Sequence, residues 1–222
     1  MKCEGFGCSE TLSDGTTLVG CDTIYAVNKE HFSHNWTPIE KTQHLLDALE
    51  ANKLPNKPVD IVLTGGEPLI YAKESLFVEF IEHLHSRGHK ICFETNGSLA
   101  IDFERYPIYK ECVFALSVKL ASSNEPQKKR INPDALLGFA SNAKEAFLKF
   151  SIDAQSIDEA LKKEIESVTA IVPNLQVYCM PVAYDKKELE KNTPALIEFC
   201  KENNYTFSDR LHIRVWNDEK GI

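Results

Sequence analysis

Between residues 59 and 182, short apolar runs alternate with helical stripes, and this alternation constrains the fold more than any other feature. Residues 59–63, 91–93, 113–118, 146–152 and 177–182 each read as a buried strand, and a last extended piece is expected at 211–216. Between them, Leu76, Phe77, Phe80, Ile81 and Leu84 make a helical stripe predicting a helix over 71–87. Asn132-Pro133 opens a helix carrying Leu136, Leu137 and Phe139, and Ser156 with Glu159 offers a capping box to one running through Leu161, Ile165 and Val168. A helix over 186–203 is expected to break near Thr193-Pro194. Upstream, Thr37-Pro38-Ile39-Glu40 reads as a helix start, followed by Leu45, Leu46 and Leu49 and stopped by a turn at Pro55-Asn56-Lys57-Pro58. Strict alternation implies parallel strands joined by right-handed crossovers, hence an α/β fold: a doubly wound sheet or a barrel. At 222 residues a single domain, 1–222, is the expectation, with residues 37–222 forming the α/β body.

Residues 1–27 do not share the alternation. Three of the seven cysteines, Cys3, Cys8 and Cys21, stand here among Gly5, Gly7, Ser9, Ser13, Asp14, Gly15 and Gly20, a composition that predicts loop. A loose disulfide, unrelated surface thiols, or a structural zinc site completed by His31 or His34 all fit the count. Cys92, Cys112, Cys179 and Cys200 lie singly in apolar runs, as small buried hydrophobes do. An odd number of cysteines, several of them core-like, fits a reducing, cytoplasmic compartment. Lysine and arginine total 25 against 33 acidic residues, a net charge of -8 that repels phosphate backbones and argues against nucleic-acid binding. No apolar run approaches the roughly 20 residues of a membrane span, so no membrane partner is expected.

Ligands of parallel α/β folds gather at the carboxyl ends of the strands. Polar residues fall there repeatedly: Gly65, Gly66 and Glu67 after the first run, Glu94 and Asn96 at the second, Ser117 and Lys119 at the third. Adjacent glycines allow backbone to approach a ligand closely.

Thr64-Gly65-Gly66-Glu67-Pro68 resembles the GGEP motif of radical S-adenosylmethionine (SAM) enzymes, downstream of a cysteine loop as in that superfamily. Together with Cys21-Asp22-Thr23, Glu94-Thr95-Asn96-Gly97, Ser117-Val118-Lys119 and Leu211-His212-Ile213-Arg214, it resembles the 7-carboxy-7-deazaguanine synthase family, in a branch with an enlarged cluster loop. The resemblance implies a partial, open parallel (β/α)6-type radical SAM barrel. It implies a [4Fe-4S] cluster on Cys3, Cys8 and Cys21, and SAM held by Gly65, Gly66, Glu67, Asn96, Ser117 and Lys119. The pterin substrate would meet Asp22, Glu94 and His212, and Mg2+ would sit at Thr23. The implied reaction converts 6-carboxy-5,6,7,8-tetrahydropterin to 7-carboxy-7-deazaguanine with loss of ammonia, on the route to queuosine. It needs a reducing electron donor such as flavodoxin, and a homodimer is the implied assembly. The family pattern also has a cysteine four positions before the one aligned to Cys3, preceded by a first strand and a Gln-Gly-Glu-Gly segment. A shortened chain lacking these is therefore the expectation, with Cys21 the firmest ligand and Cys3 and Cys8 competing for the middle role. Two other readings stay open: another radical SAM catalyst such as a glycyl-radical activase, or a non-catalytic, zinc-stabilised α/β binding module.

Overall fold

A computed structural model describes residues 1–52 and 57–219; Pro55 and Asn56 of the expected turn lie outside the described residues. A 3-10 turn, Glu4–Phe6, precedes the hairpin strands β1 (Cys8–Thr11) and β2 (Thr17–Gly20), and two short helices follow, α1 (Ile24–Val27) and α2 (Lys29–Phe32). The expected cysteine loop is therefore structured: the residues around Asp14-Gly15 make the tight turn, and flanking Thr11 and Thr17 pair across it.

The body runs α3 (Thr42–Ala51), β3 (Asp60–Leu63), α4 (Ser75–Ser86), β4 (Lys90–Thr95), β5 (Val113–Leu116), α5 (Gln127–Arg130), α6 (Pro133–Asn142), β6 (Glu145–Ile152), α7 (Glu159–Thr169), β7 (Gln176–Pro181), α8 (Lys186–Asn203), β8 (Thr206–Phe207) and α9 (Leu211–Trp216). Strands β3 to β8 form one parallel sheet in sequence order. A doubly wound sheet reverses its strand order at a switch point, and none occurs here. Of the two architectures the alternation allowed, the barrel type is the one formed. Among the described residues β3 and β8 are not paired with each other, so the wall stays open.

The period of two along the strands separates two faces. Ile91, Phe93 and Thr95 of β4, Leu148, Phe150 and Ile152 of β6, and Cys179 of β7 are buried, while Glu94, Lys149, Ser151 and Met180 between them are only half-buried. Phe114 stacks on Phe93 with ring centroids 5.2 Å apart and meets Phe139 of α6 at 4.8 Å, fixing β4, β5 and the helical layer together. The core thus lies between sheet and helices, and the opposite face is left for a ligand.

Five local expectations change. Residues 211–216 form α9, not a strand: Thr206–Phe207 fill the β8 position, and Ile213 buries beside Ala183 and Leu189 while Arg214 reaches Thr193 on α8. Helix α8 runs unbroken through Pro194. Ser156 is not the cap of α7; its hydroxyl donates to the Asp153 carbonyl, and the side chain of Asp158 accepts from Leu161 N instead. Residues 71–87 divide into a 3-10 turn, Pro68–Tyr71, and α4, and α3 begins at Thr42 rather than near Thr37.

Candidate functional site

At the carboxyl ends of the strands opens a cavity of about 1660 Å³. Cys3, Cys8, Cys21, Asp22, Thr23, Gly65, Gly66, Glu67, Glu94, Asn96, Ser117, Lys119 and His212 all line it. Every site residue that the resemblance implied is brought to this one mouth, although His212 arrives on a helix. His31 and His34, the candidate zinc ligands, are not among the lining residues.

Backbone pairing draws the cysteines together. Cys21 N donates to the Lys2 carbonyl at 3.0 Å, and Cys8 lies opposite Gly20 in the hairpin. Glu125, on the exit loop of β5, accepts from the backbone N–H of Lys2 and of Cys3, tying this segment to the barrel. Arg130 braces that loop: it donates to the carbonyls of Glu125 and Lys119 and pairs with Glu164 at 2.6 Å. Lys119 places its ammonium 5.5 Å from the centre of the Phe6 ring, a cation–π contact between strand exit and cysteine segment. Burial pushes the Cys3 thiol above its ordinary value, and the nearby Lys119 pulls the other way.

The glycine pair has two separate reasons. Gly65 takes φ +124, where a side chain is strained, and a Cβ on Gly66 would come within 2.3 Å of Val27 on α1. Gly66 is thus the point where the cysteine segment presses on the β3 exit. The Glu67 carboxylate accepts from Leu69 N at 3.1 Å, Thr95 Oγ1 at 2.7 Å and Asn96 N at 2.8 Å. It cross-links the ends of β3 and β4, leaving the neighbouring backbone as the part free to meet a ligand.

Glu94 is held by Lys149 at 2.8 Å, a pair that fixes a carboxylate on the inner face of the sheet. Asn96 Oδ1 accepts from Ser98 N, so its amide N–H groups remain for a ligand. Desolvation, with Arg210 and Lys149 nearby, holds His212 below the ordinary histidine pKa. Lys149, Glu125, Tyr184 and Arg210 also line the cavity without having been singled out from the sequence. Only Lys149 left a signal there: a cation at an inward position of the apolar run 146–152.

Three thiolates are soft donors of the kind that iron–sulfur clusters take. Their chemistry and shared cavity fit such a group, yet the sulfurs have other partners as they stand. Cys8 Sγ donates to Tyr184 Oη at 3.4 Å, and Cys21 Sγ lies 3.2 Å from Thr23 Oγ1. Among the described residues no three histidine, cysteine or acidic side chains converge as a metal-holding group. A cluster on the three cysteines would replace the hydrogen bonds that Cys8 and Cys21 make here. Thr23 shares a hydrogen bond with Cys21 through its hydroxyl.

The model of the family described as a 4Fe-4S single cluster domain matches residues 3–136, which include all three cysteines and the first three barrel strands. The chain belongs to the 4Fe-4S single cluster domain family. This 4Fe-4S single cluster domain chain is 26% identical over 208 residues to the 7-carboxy-7-deazaguanine synthase of Halobacterium salinarum, covering 85% of itself and 77% of the relative. Identity to the 7-carboxy-7-deazaguanine synthase of Rhodopirellula baltica is also 26%, over 217 residues, 90% of this chain and 75% of the relative. The resemblance drawn from the motifs is thus borne out. Among solved structures, Streptococcus suis SuiB, bound to the precursor peptide SuiA, superposes with TM-score 0.50 at 12% identity. It covers 78% of this chain while the chain spans 43% of SuiB, a likeness of fold alone.

Proposed function

We propose that this chain is a 7-carboxy-7-deazaguanine synthase, a radical SAM lyase that converts 6-carboxy-5,6,7,8-tetrahydropterin to 7-carboxy-7-deazaguanine with loss of ammonia. The observation that carries the reading is the convergence of Cys3, Cys8 and Cys21 with the exits of β3, β4 and β5 on one cavity, in a chain whose curated relatives bear that name. Cys3, Cys8 and Cys21 would hold the cluster. When bound, cluster and SAM supply the reductive cleavage that starts the radical chemistry.

The chain's own residues position the reactants. The backbone at Gly65, Gly66 and Glu67 meets the aminoacyl end of SAM, with Asn96, Ser117 and Lys119 on the adjoining strand exits. Asp22 and Glu94 accept parallel N–H bonds from the guanidine-like edge of the pterin. Lys149 keeps Glu94 in place for this. His212 contacts the substrate from the far side. Magnesium at Thr23, a flavodoxin-like electron donor, a homodimer and a cytoplasmic setting rest on the motif resemblance alone. For the described residues, no helix is long and apolar enough to cross a membrane.

Anaerobic reconstitution followed by mass spectrometry tests the reading. Iron–sulfur absorbance, SAM cleavage and pterin-dependent formation of 7-carboxy-7-deazaguanine are the expected results. SAM cleavage with no product from the pterin would point to another radical enzyme, and a colourless, zinc-loaded protein would defeat both.

A further inference from the structure

The backbone at Cys3 takes φ 53 and ψ 45, the left-handed region that a side chain ordinarily avoids. Among the described residues the other non-glycine positions with positive φ are Asn124, Asn204 and Asn217, all asparagines, which tolerate that region best. A cysteine has no such tolerance, and strain of this kind persists only where the surroundings impose it.

What imposes it is the loop 119–125 at the exit of β5. Its 3-10 turn, Ala121–Ser123, lies so close to the backbone of Gly5 that a Cβ there would stand 1.9 Å from the Ser122 carbonyl oxygen. Beyond the turn a single carboxylate oxygen of Glu125, Oε1, accepts from both Lys2 N and Cys3 N, the latter at 3.0 Å. The loop is held in turn from behind. Arg130 is buried and donates from Nε to the Glu125 carbonyl and from Nη1 to the Lys119 carbonyl, so one guanidinium ties both ends of the loop. Glu164 of α7 accepts from Arg130 and from Ala121 N, fixing the turn to the helical layer. A buried ion pair adds little net stability once desolvation is counted, so the shape it gives the loop is its more telling consequence.

We propose that Glu125 is a positioning residue for the cluster: seated on the loop that Arg130 braces, it holds Cys3 in the left-handed conformation from which this cysteine keeps its iron. The inference rests on the cluster reading above and deepens it. The cysteine segment buries little of itself, so without this hold it opens locally while the sheet stays folded, and a chelator reaches the iron sooner. Hydrogen-bond acceptance rather than charge is the operative property. Because one oxygen takes both N–H groups, the carbonyl of a glutamine can replace the carboxylate.

Timed iron release tests it. The full chain, reconstituted anaerobically and reduced, is challenged with the ferrous chelator bathophenanthroline well below its melting temperature. Glu125→Ala is expected to release iron about tenfold faster than wild type, as befits the loss of two N–H bonds, and Glu125→Gln to stay within about twofold of it. Apo melting temperatures of the three forms should agree. Release from Glu125→Ala at the wild-type rate overturns the positioning role and leaves the cluster reading intact. Equal acceleration in Glu125→Gln overturns it too, since charge would then be the cause, as does acceleration that tracks a fall in apo melting temperature, which would make Glu125 a stabilising residue alone. A wild type that assembles no cluster defeats the functional reading and the positioning role with it.

Discussion

Cysteines occur in two settings in this chain, and the contrast separates ligand from filler. Cys112, Cys179 and Cys200 lie in the body with 0%, 0% and 3% exposure, packed in the main hydrophobic cluster. Cys8 and Cys21 are half-exposed at the cavity, and Cys3, though buried, lines it too. The surroundings differ as much as the thiols. Of residues 1–36, only Cys3, Gly20, Ile24 and Phe32 are buried, so the segment is held by backbone pairing, Glu125 and the press of Val27 on Gly66. The sheet, by contrast, is held by a continuous apolar layer. A region with little buried surface can reorganise around an incoming group at small cost, whereas a core cannot.

The widest gap between the two regions should appear in paired truncations. Phe114→Ala removes a fully buried ring that touches Phe93 and Phe139, and should cost about 3–5 kcal/mol in urea unfolding of the apo protein. Cys21→Ala should leave the apo transition within about 0.5 kcal/mol of wild type. After reconstitution it should retain little iron per chain. A Cys21→Ala variant that keeps its iron, or that unfolds as early as Phe114→Ala, would break the distinction.

The sequence made one region far more legible than the other. Short apolar runs located β3 to β7, because strands of a parallel sheet covered by helices read as near-continuous apolar stretches. Their polar exits followed from the same reading, and so did most of the cavity wall. What escaped depended on neighbours distant in the chain. Glu125 supports Cys3 across 122 positions, and Lys149 meets Glu94 across 55, contacts that no local pattern records. Residues 211–216 look extended by composition. They became helical because β8 had already closed the sheet edge with Thr206–Phe207 and a single residue, Ile213, was left to bury. The cysteine segment looked like loop for want of apolar residues, yet its hairpin is specified by the turn at Asp14-Gly15 and by backbone pairing.

A middle-sized effect sharpens the boundary between the regions. Glu67 belongs by chain position to the glycine turn and by bonding to the sheet, since its three acceptor contacts join the β3 and β4 exits. Glu67→Ala should therefore lower stability by about 1–3 kcal/mol, the cost of leaving those donors unmet. Iron content should hold near the wild-type value while SAM, measured by equilibrium dialysis, binds more weakly. Loss of iron with no loss of stability would instead place Glu67 with the cysteine segment.

The smallest effect concerns pH and the buried thiols. Burial, with Glu111 adding to it, pushes Cys112 up to about 12, and its Sγ donates to the Ile108 carbonyl at 3.5 Å. An acid whose folded pKa is raised keeps its full contribution below the unfolded value, about 8.5 for a thiol, and loses it as pH climbs toward the folded one. From pH 8.5 to 10 the unfolded chain releases this proton while the folded chain holds it. Unfolding free energy should then fall by about 1.5 kcal/mol on account of Cys112, a decline that Cys112→Ala removes. A slope that Cys112→Ala leaves unchanged would show that burial does not hold this thiol protonated.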